Sequence, residues 1–135
     1  MREILFRGKN VGNGKWVYGS LIEDCYIVGD VVDWNEEYFN AEWWAMVDPE
    51  TVGQYTGLKD KNGTKIFEGD ITDHTAHETT VKWVWDEHYI CFRGEELDGT
   101  TRFYFEIDTQ NLEVVDNIHD NPELLKEEVK WITTK

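Results

Sequence analysis

Two histidines and two acidic residues crowd one short stretch of this 135-residue chain, Asp73 followed by His74-Thr75-Ala76-His77-Glu78. Imidazoles and carboxylates are the usual ligands of zinc. On a strand, however, residues three apart point to opposite faces. Both imidazoles could therefore reach one ion only from a loop, and the helical HExxH spacing is absent. The reading is a solvated hairpin tip, with no metal assigned. Asp86-Glu87-His88 is a second polar tip of the same kind. Asp60-Lys61-Asn62-Gly63 has the wording of a calcium loop, but with Gly63 at the sixth loop position Leu58 falls first and Gly69 twelfth. Both places require oxygen ligands. Cys25 and Cys91, the only cysteines, have neither metal-ligand spacing nor a flanking base, and read as free thiols in a reducing cytosol. GxSxG, P-loop and GxGxxG motifs are absent. The expectation is a protein without catalytic residues, cofactor or metal.

Charge and aromatic content are more informative. The chain carries 28 Asp and Glu against 13 Lys and Arg, a formal net charge of −15. Nucleic-acid binders gain affinity by replacing counterions with cations, so direct binding to DNA or RNA is disfavoured. Between Lys15 and Lys59 there is no cation at all, while nine carboxylates and nine aromatic residues share the interval. Disordered acidic tails are poor in aromatics, so this segment is expected to fold. No apolar run is long enough to span a bilayer, and Met1-Arg2-Glu3 runs straight into a strand-like ILF rather than a signal peptide. A cytoplasmic protein without membrane contact is expected.

Period-two alternation dominates the elements that must position these residues. Ile4 to Arg7 and Lys15 to Ile22 read as a hairpin around Asn13-Gly14. Tyr26 to Val32 is a β-rich run interrupted by Gly29, and Asn35 to Glu42 fits a short helix or an irregular loop equally well. Trp43 to Val47 is strand-like up to Asp48-Pro49, and Thr51 to Leu58 resumes. Asp60 to Gly63 predicts a tight turn with Gly63 at positive φ and Asp60 accepting backbone hydrogen bonds. Further on, Val81, Trp83, Ile90, Phe92, Phe103, Phe105 and Ile107 take the apolar phase of successive strands and are expected in one buried cluster. Leu112 to Ile118 is the last strand. Asp120-Asn121-Pro122-Glu123 then carries a helix-capping signature before an apolar stripe of Leu124, Leu125, Val129 and Ile132.

Four pieces of the chain, ILFRGK, GKWVYGSLI, VDPETVGQYTGLKDKNGTKIFEGDI and NIHDNPELL, together resemble the YopX-like proteins of bacteriophages and prophages. Asp116 stands before Asn117 where that pattern tends to have glycine. The resemblance implies a mainly β fold in a single domain spanning residues 1–135. N-terminal β-hairpins (1–64) would pack on a C-terminal SH3-like small β-barrel (65–118), followed by a short α-helix (119–135). It carries over no catalytic residue. Thr56, Gly57, Asp60, Gly63, Glu68, Gly69 and Asp70 recur in the pattern as turn architecture, for which aspartate acceptors and glycine dihedrals suffice.

Function then rests on the aromatic excess. Trp34, Tyr38, Phe39, Trp43 and Trp44 exceed what a small barrel core needs, and adjacent Trp43 and Trp44 must point to opposite faces. The expectation is a non-enzymatic phage accessory protein that binds another protein through an acidic, aromatic-rich surface. The partner would be a basic host protein or a second copy in a homo-oligomer, the latter strengthened by salt as repulsion is screened. The alternative is an acidic nucleic-acid mimic that occupies a DNA-binding host protein.

Overall fold

The computed structural model describes residues 2–74, 79–97, 103–104 and 109–122. The chain is mainly β, with a sheet curled into a half-barrel, and the described residues include no α-helix. It divides into two compact units, residues 1–55 and 56–135.

The first unit is built on β1 (Phe6–Lys9), β2 (Trp16–Ile22), β3 (Tyr26–Val28), β4 (Val31–Trp34), β5 (Phe39–Ala41) and β6 (Trp44–Met46), and ends in β7 (Gly53–Lys59), which runs on past Tyr55. Within its sheet these strands follow the order β6-β3-β2-β1-β7, and each neighbouring pair is antiparallel. The β1–β2 turn closes as its residue types require. Gly14 takes φ 70° and Asn13 Oδ1 accepts from Lys15 N at 2.9 Å. Asn13 itself stays out of the left-handed region, so one residue rather than two carries the positive dihedral. Ile27, Val28, Val47 and Tyr55 form the buried apolar set of this unit. Asp48 caps the 3-10 turn Pro49–Thr51 by accepting from Glu50 N at 3.0 Å.

The second unit adds β8 (Lys65–Phe67), β9 (Asp70–His74), β10 (Thr79–Asp86), β11 (Cys91–Glu96), β12 (Phe103–Tyr104) and β13 (Leu112–Asn117). Five of these form one antiparallel sheet in the order β12-β11-β10-β9-β13. This sheet occupies the interval in which the SH3-like barrel is expected. Of the C-terminal helix expected over 119–135, residues 119–122 are turn and loop rather than helix, and 123–135 lie outside the described residues. The core of the second unit is Ile66, Val81, Trp83 and Leu112, with Phe92 and Val114 packed against them.

Of the expected buried cluster, Val81 and Trp83 are buried and Phe92 half-buried. Ile90 is not: it is 73% exposed and sits at φ 57° in the turn between β10 and β11. Asp86 organises that turn by accepting from His88 N at 2.8 Å and Tyr89 N at 2.9 Å, which moves the strand start to Cys91 and Ile90 out of the apolar phase. Phe103 lies in β12, while Phe105 and Ile107 lie outside the described residues.

Gly57, Gly63 and Gly69 take φ of 90°, 80° and 93°. A Cβ on Gly63 would meet no atom within 4 Å, so substitution there tests the dihedral alone. Gly63→Ala is expected to lower stability by about 1 kcal/mol in urea denaturation. Gly69→Ala should cost more, because its Cβ would also approach His119 Nε2 to 3.2 Å.

Candidate interaction surface

The segment between β3 and β6 is neither helix nor irregular loop. Tyr26, Ile27 and Val28 pair with Met46, Ala45 and Trp44. The pairing continues through Gly29 N to Trp43 O at 2.9 Å and Glu42 N to Asp30 O at 2.7 Å. Val31 then pairs with Ala41, Asp33 with Asn40 and Trp34 with Phe39, with a bulge between Val31 and Asp33. Residues 26–46 are thus one long hairpin, bent near Glu42, whose outer half β4–β5 is a two-stranded arm with no further strand partner among the described residues. Its tip is closed by Asn35, whose Oδ1 accepts from Glu37 N at 2.7 Å and Tyr38 N at 3.1 Å. Asparagine favours such a turn because its side chain reaches the backbone two residues on.

Register decides what each side of the arm presents. Phe39 and Ala41 lie on one side of β5, and their cross-strand partners Trp34 and Val31 join them there. Asp33 and Asn40 face the other way. Trp34 is 74% exposed, Val31 51% and Phe39 50%. Asp30, Asp33, Glu36, Glu37 and Glu42 are all exposed as well.

The five aromatic residues singled out above therefore have different settings. Trp34 and Phe39 share the apolar side of the arm, and Tyr38 is at its tip. Trp43 lies over Gly29, where a Cβ would come within 2.5 Å of the indole Nε1, so only glycine fits beneath that ring. Trp44 is on β6, the outermost strand of its sheet, 67% exposed and edge-on to Tyr26 at 5.9 Å between ring centroids. Met46, two residues along, is also exposed on that side. Val31 is expected from the sequence only as part of the β-rich run Tyr26 to Val32; its place on the exposed apolar side follows from the register with Ala41. Cations meet an indole elsewhere in this unit. The Arg7 guanidinium sits 4.5 Å from the Trp16 ring centroid and Lys9 Nζ 5.5 Å away.

The residues of the turn pattern lie in the second unit, where they serve the backbone. Thr56 Oγ1 donates to Ile66 O at 2.8 Å, and Asp70 Oδ2 accepts from Phe67 N at 2.7 Å. Glu68 is half-buried beside Gly69, whose N–H donates to Trp83 O at 2.8 Å. Asp60 is buried, with Oδ1 accepting from Asn62 N and Thr64 N and Oδ2 from Val114 N, each at 2.9 Å. Burial pushes its carboxyl up, but those three amides and the charge of Lys61 outweigh burial and hold it below the usual carboxylate range. Asp86 is likewise held low, by Tyr89 N, by Arg93, whose Nε is 2.7 Å from Oδ2, and by His88 N, against the opposing effect of burial.

His74 lies at the end of β9, and His77 is outside the described residues. Among the described residues no three His, Cys, Asp or Glu side chains are placed to hold a metal ion. Cys25 and Cys91 are free thiols. Burial, with the Asp24 and Glu23 carboxylates, pushes the Cys25 thiol up, against activation as a thiolate. Among the described residues no helix is long and apolar enough to cross a membrane.

Comparison with known proteins gives a family match and a structural match. The family described as YopX protein matches residues 5–126. The crystal structure of protein EF1440 from Enterococcus faecalis is similar with a TM-score of 0.63 and 25% sequence identity, over 93% of this chain and 99% of that one. No curated protein matches.

Proposed function

This chain belongs to the YopX protein family, and from that premise we propose that it is a non-enzymatic phage or prophage accessory protein that works in the bacterial cytoplasm by binding another protein. On this reading the five-stranded sheet of the second unit belongs to an SH3-like barrel, and the first unit carries the contact surface. One observation supports the reading above the others. Trp34 and Trp44 stand 74% and 67% exposed in an interval that holds nine carboxylates and no cation. Large exposed rings are costly to leave in water and are the residues that dominate binding energy when covered. Carboxylates steer an approaching partner and the rings supply affinity. Imitation of a nucleic acid would need the carboxylates without the rings, so protein binding accounts for more of this surface.

The test is affinity capture from a bacterial host lysate with the tagged wild type and with a Trp34→Ser/Trp44→Ser variant. Proteins retained by the wild type and lost by the variant, with a basic composition, are the expected result. Identical retention by both would end the proposal. Size exclusion with light scattering at low and high salt reads the second-copy alternative in the same preparations: association that grows with salt would make the partner another copy of this chain.

A further inference from the structure

Taking that contact reading as its footing, we propose that the aromatic side of the β4–β5 arm is a docking face for an arginine-bearing, extended segment of a partner protein.

The arm is shaped for contact rather than for its own stability. A lone two-stranded ribbon is marginal in water, and this one turns Val31, Trp34 and Phe39 outward together instead of against a core. A second copy is the less suitable cover. These three side chains offer on the order of 300–400 Å² a side, against about 800 Å² a side in a standard stable interface. Two copies would also bring together two identical intervals without a cation, in chains of net charge −15. A cationic partner reverses the sign of that term.

Arginine suits the site better than a bare positive charge. Its planar guanidinium stacks on an indole and is more weakly hydrated than an ammonium, so it loses less on leaving water. The chain already uses this contact, with Arg7 over Trp16 at 4.5 Å. Trp34 offers a second indole, with Glu36 and Glu37 close by in sequence and both exposed to receive the remaining N–H donors. An extended segment matches the geometry, because its same-face side chains repeat at the two-residue spacing of Phe39 and Ala41 along the apolar side of the arm.

The probe is an eight-residue peptide alternating Arg and Thr, compared with its Lys-Thr counterpart, titrated by calorimetry into the full chain. The Arg peptide is expected to bind severalfold more tightly than the Lys peptide, and more weakly as salt rises. Trp34→Leu, which keeps apolar area but removes the ring face, should weaken the Arg peptide about tenfold. Trp44→Leu, in the outermost strand of the sheet, should leave it unchanged. Equal affinity for the two peptides, or equal loss from the two variants, would reduce the effect to net charge and overturn the proposal. No detectable binding of either peptide would also overturn it. If the arm proposal fails while the Trp34→Ser/Trp44→Ser variant still loses host proteins, the protein-binding function stands and only the assignment of the arm falls. Salt-strengthened dimerisation that Trp34→Leu abolishes would replace the cationic partner by a second copy.

Discussion

Asp60→Ala is expected to lower the stability of the fold by about 3 kcal/mol, since it leaves three amide donors without their acceptor. Two of these donors, Asn62 and Thr64, belong to the turn itself, and water can reach them in part. The third is Val114, fifty-four residues away on β13. Lys61 N donates to Leu112 O at 2.9 Å on the same strand, and Lys61 Nζ is 3.6 Å from Glu113 Oε2. β13 is the last strand of its sheet, so the 60–64 turn stands where another strand would pair. The aspartate is thus both a turn brace and a cover for a sheet edge. Asp60→Asn keeps one acceptor oxygen but sets an NH₂ against a main-chain donor, so it should fall between wild type and alanine.

The same residue fixes a pH dependence. Its folded carboxyl is held below the usual range, so its contribution is fully present above the unfolded value, about 3.9, and is lost as pH falls through the folded value. Urea midpoints measured between neutral pH and pH 2 should therefore converge for wild type and Asp60→Asn at the acid end. Parallel curves across that window would show that the carboxylate charge is not what stabilises the turn.

Trp83→Ala should have the largest effect of any single substitution considered, about 3–5 kcal/mol. The side chain is 2% exposed in the cluster with Ile66, Val81 and Leu112. It also donates from Nε1 to Thr72 Oγ1 at 3.0 Å, and Thr72 is fully buried. Truncation opens a cavity the size of an indole and strips a buried hydroxyl of its donor. Trp83→Phe separates these effects: it retains most of the volume and should cost about 1–2 kcal/mol, largely for the lost hydrogen bond. A cost for Trp83→Phe equal to that for Trp83→Ala, read by chemical denaturation, would mean that packing volume is not the main term.

Local chemistry made much of the fold legible in the sequence. The Asn13-Gly14 and Asp60-to-Gly63 turns close where turn residues allow, and Gly63 takes the positive dihedral that its position requires. Val81 and Trp83 alternate into the core because strand periodicity is a property of adjacent residues. Ile90 failed for a reason just as local: Asp86 closes the next turn two and three residues on, and a β-branched residue was pushed to positive φ. Propensity alone would never place it there.

Membership of a β-rich family and the concentration of rings and carboxylates between Lys15 and Lys59 were fixed by the sequence, because composition and turn wording need no partner to be read. Which rings face water was not. That depended on the register that sets Trp34 opposite Phe39, on the absence of a side chain at Gly29 that lets Trp43 lie down, and on the place of β6 at the end of its sheet. The bond from Val114 to Asp60 is of the same kind. Each joins residues separated along the chain, and a pattern of neighbours carries no record of such pairings until the sheet has chosen its register.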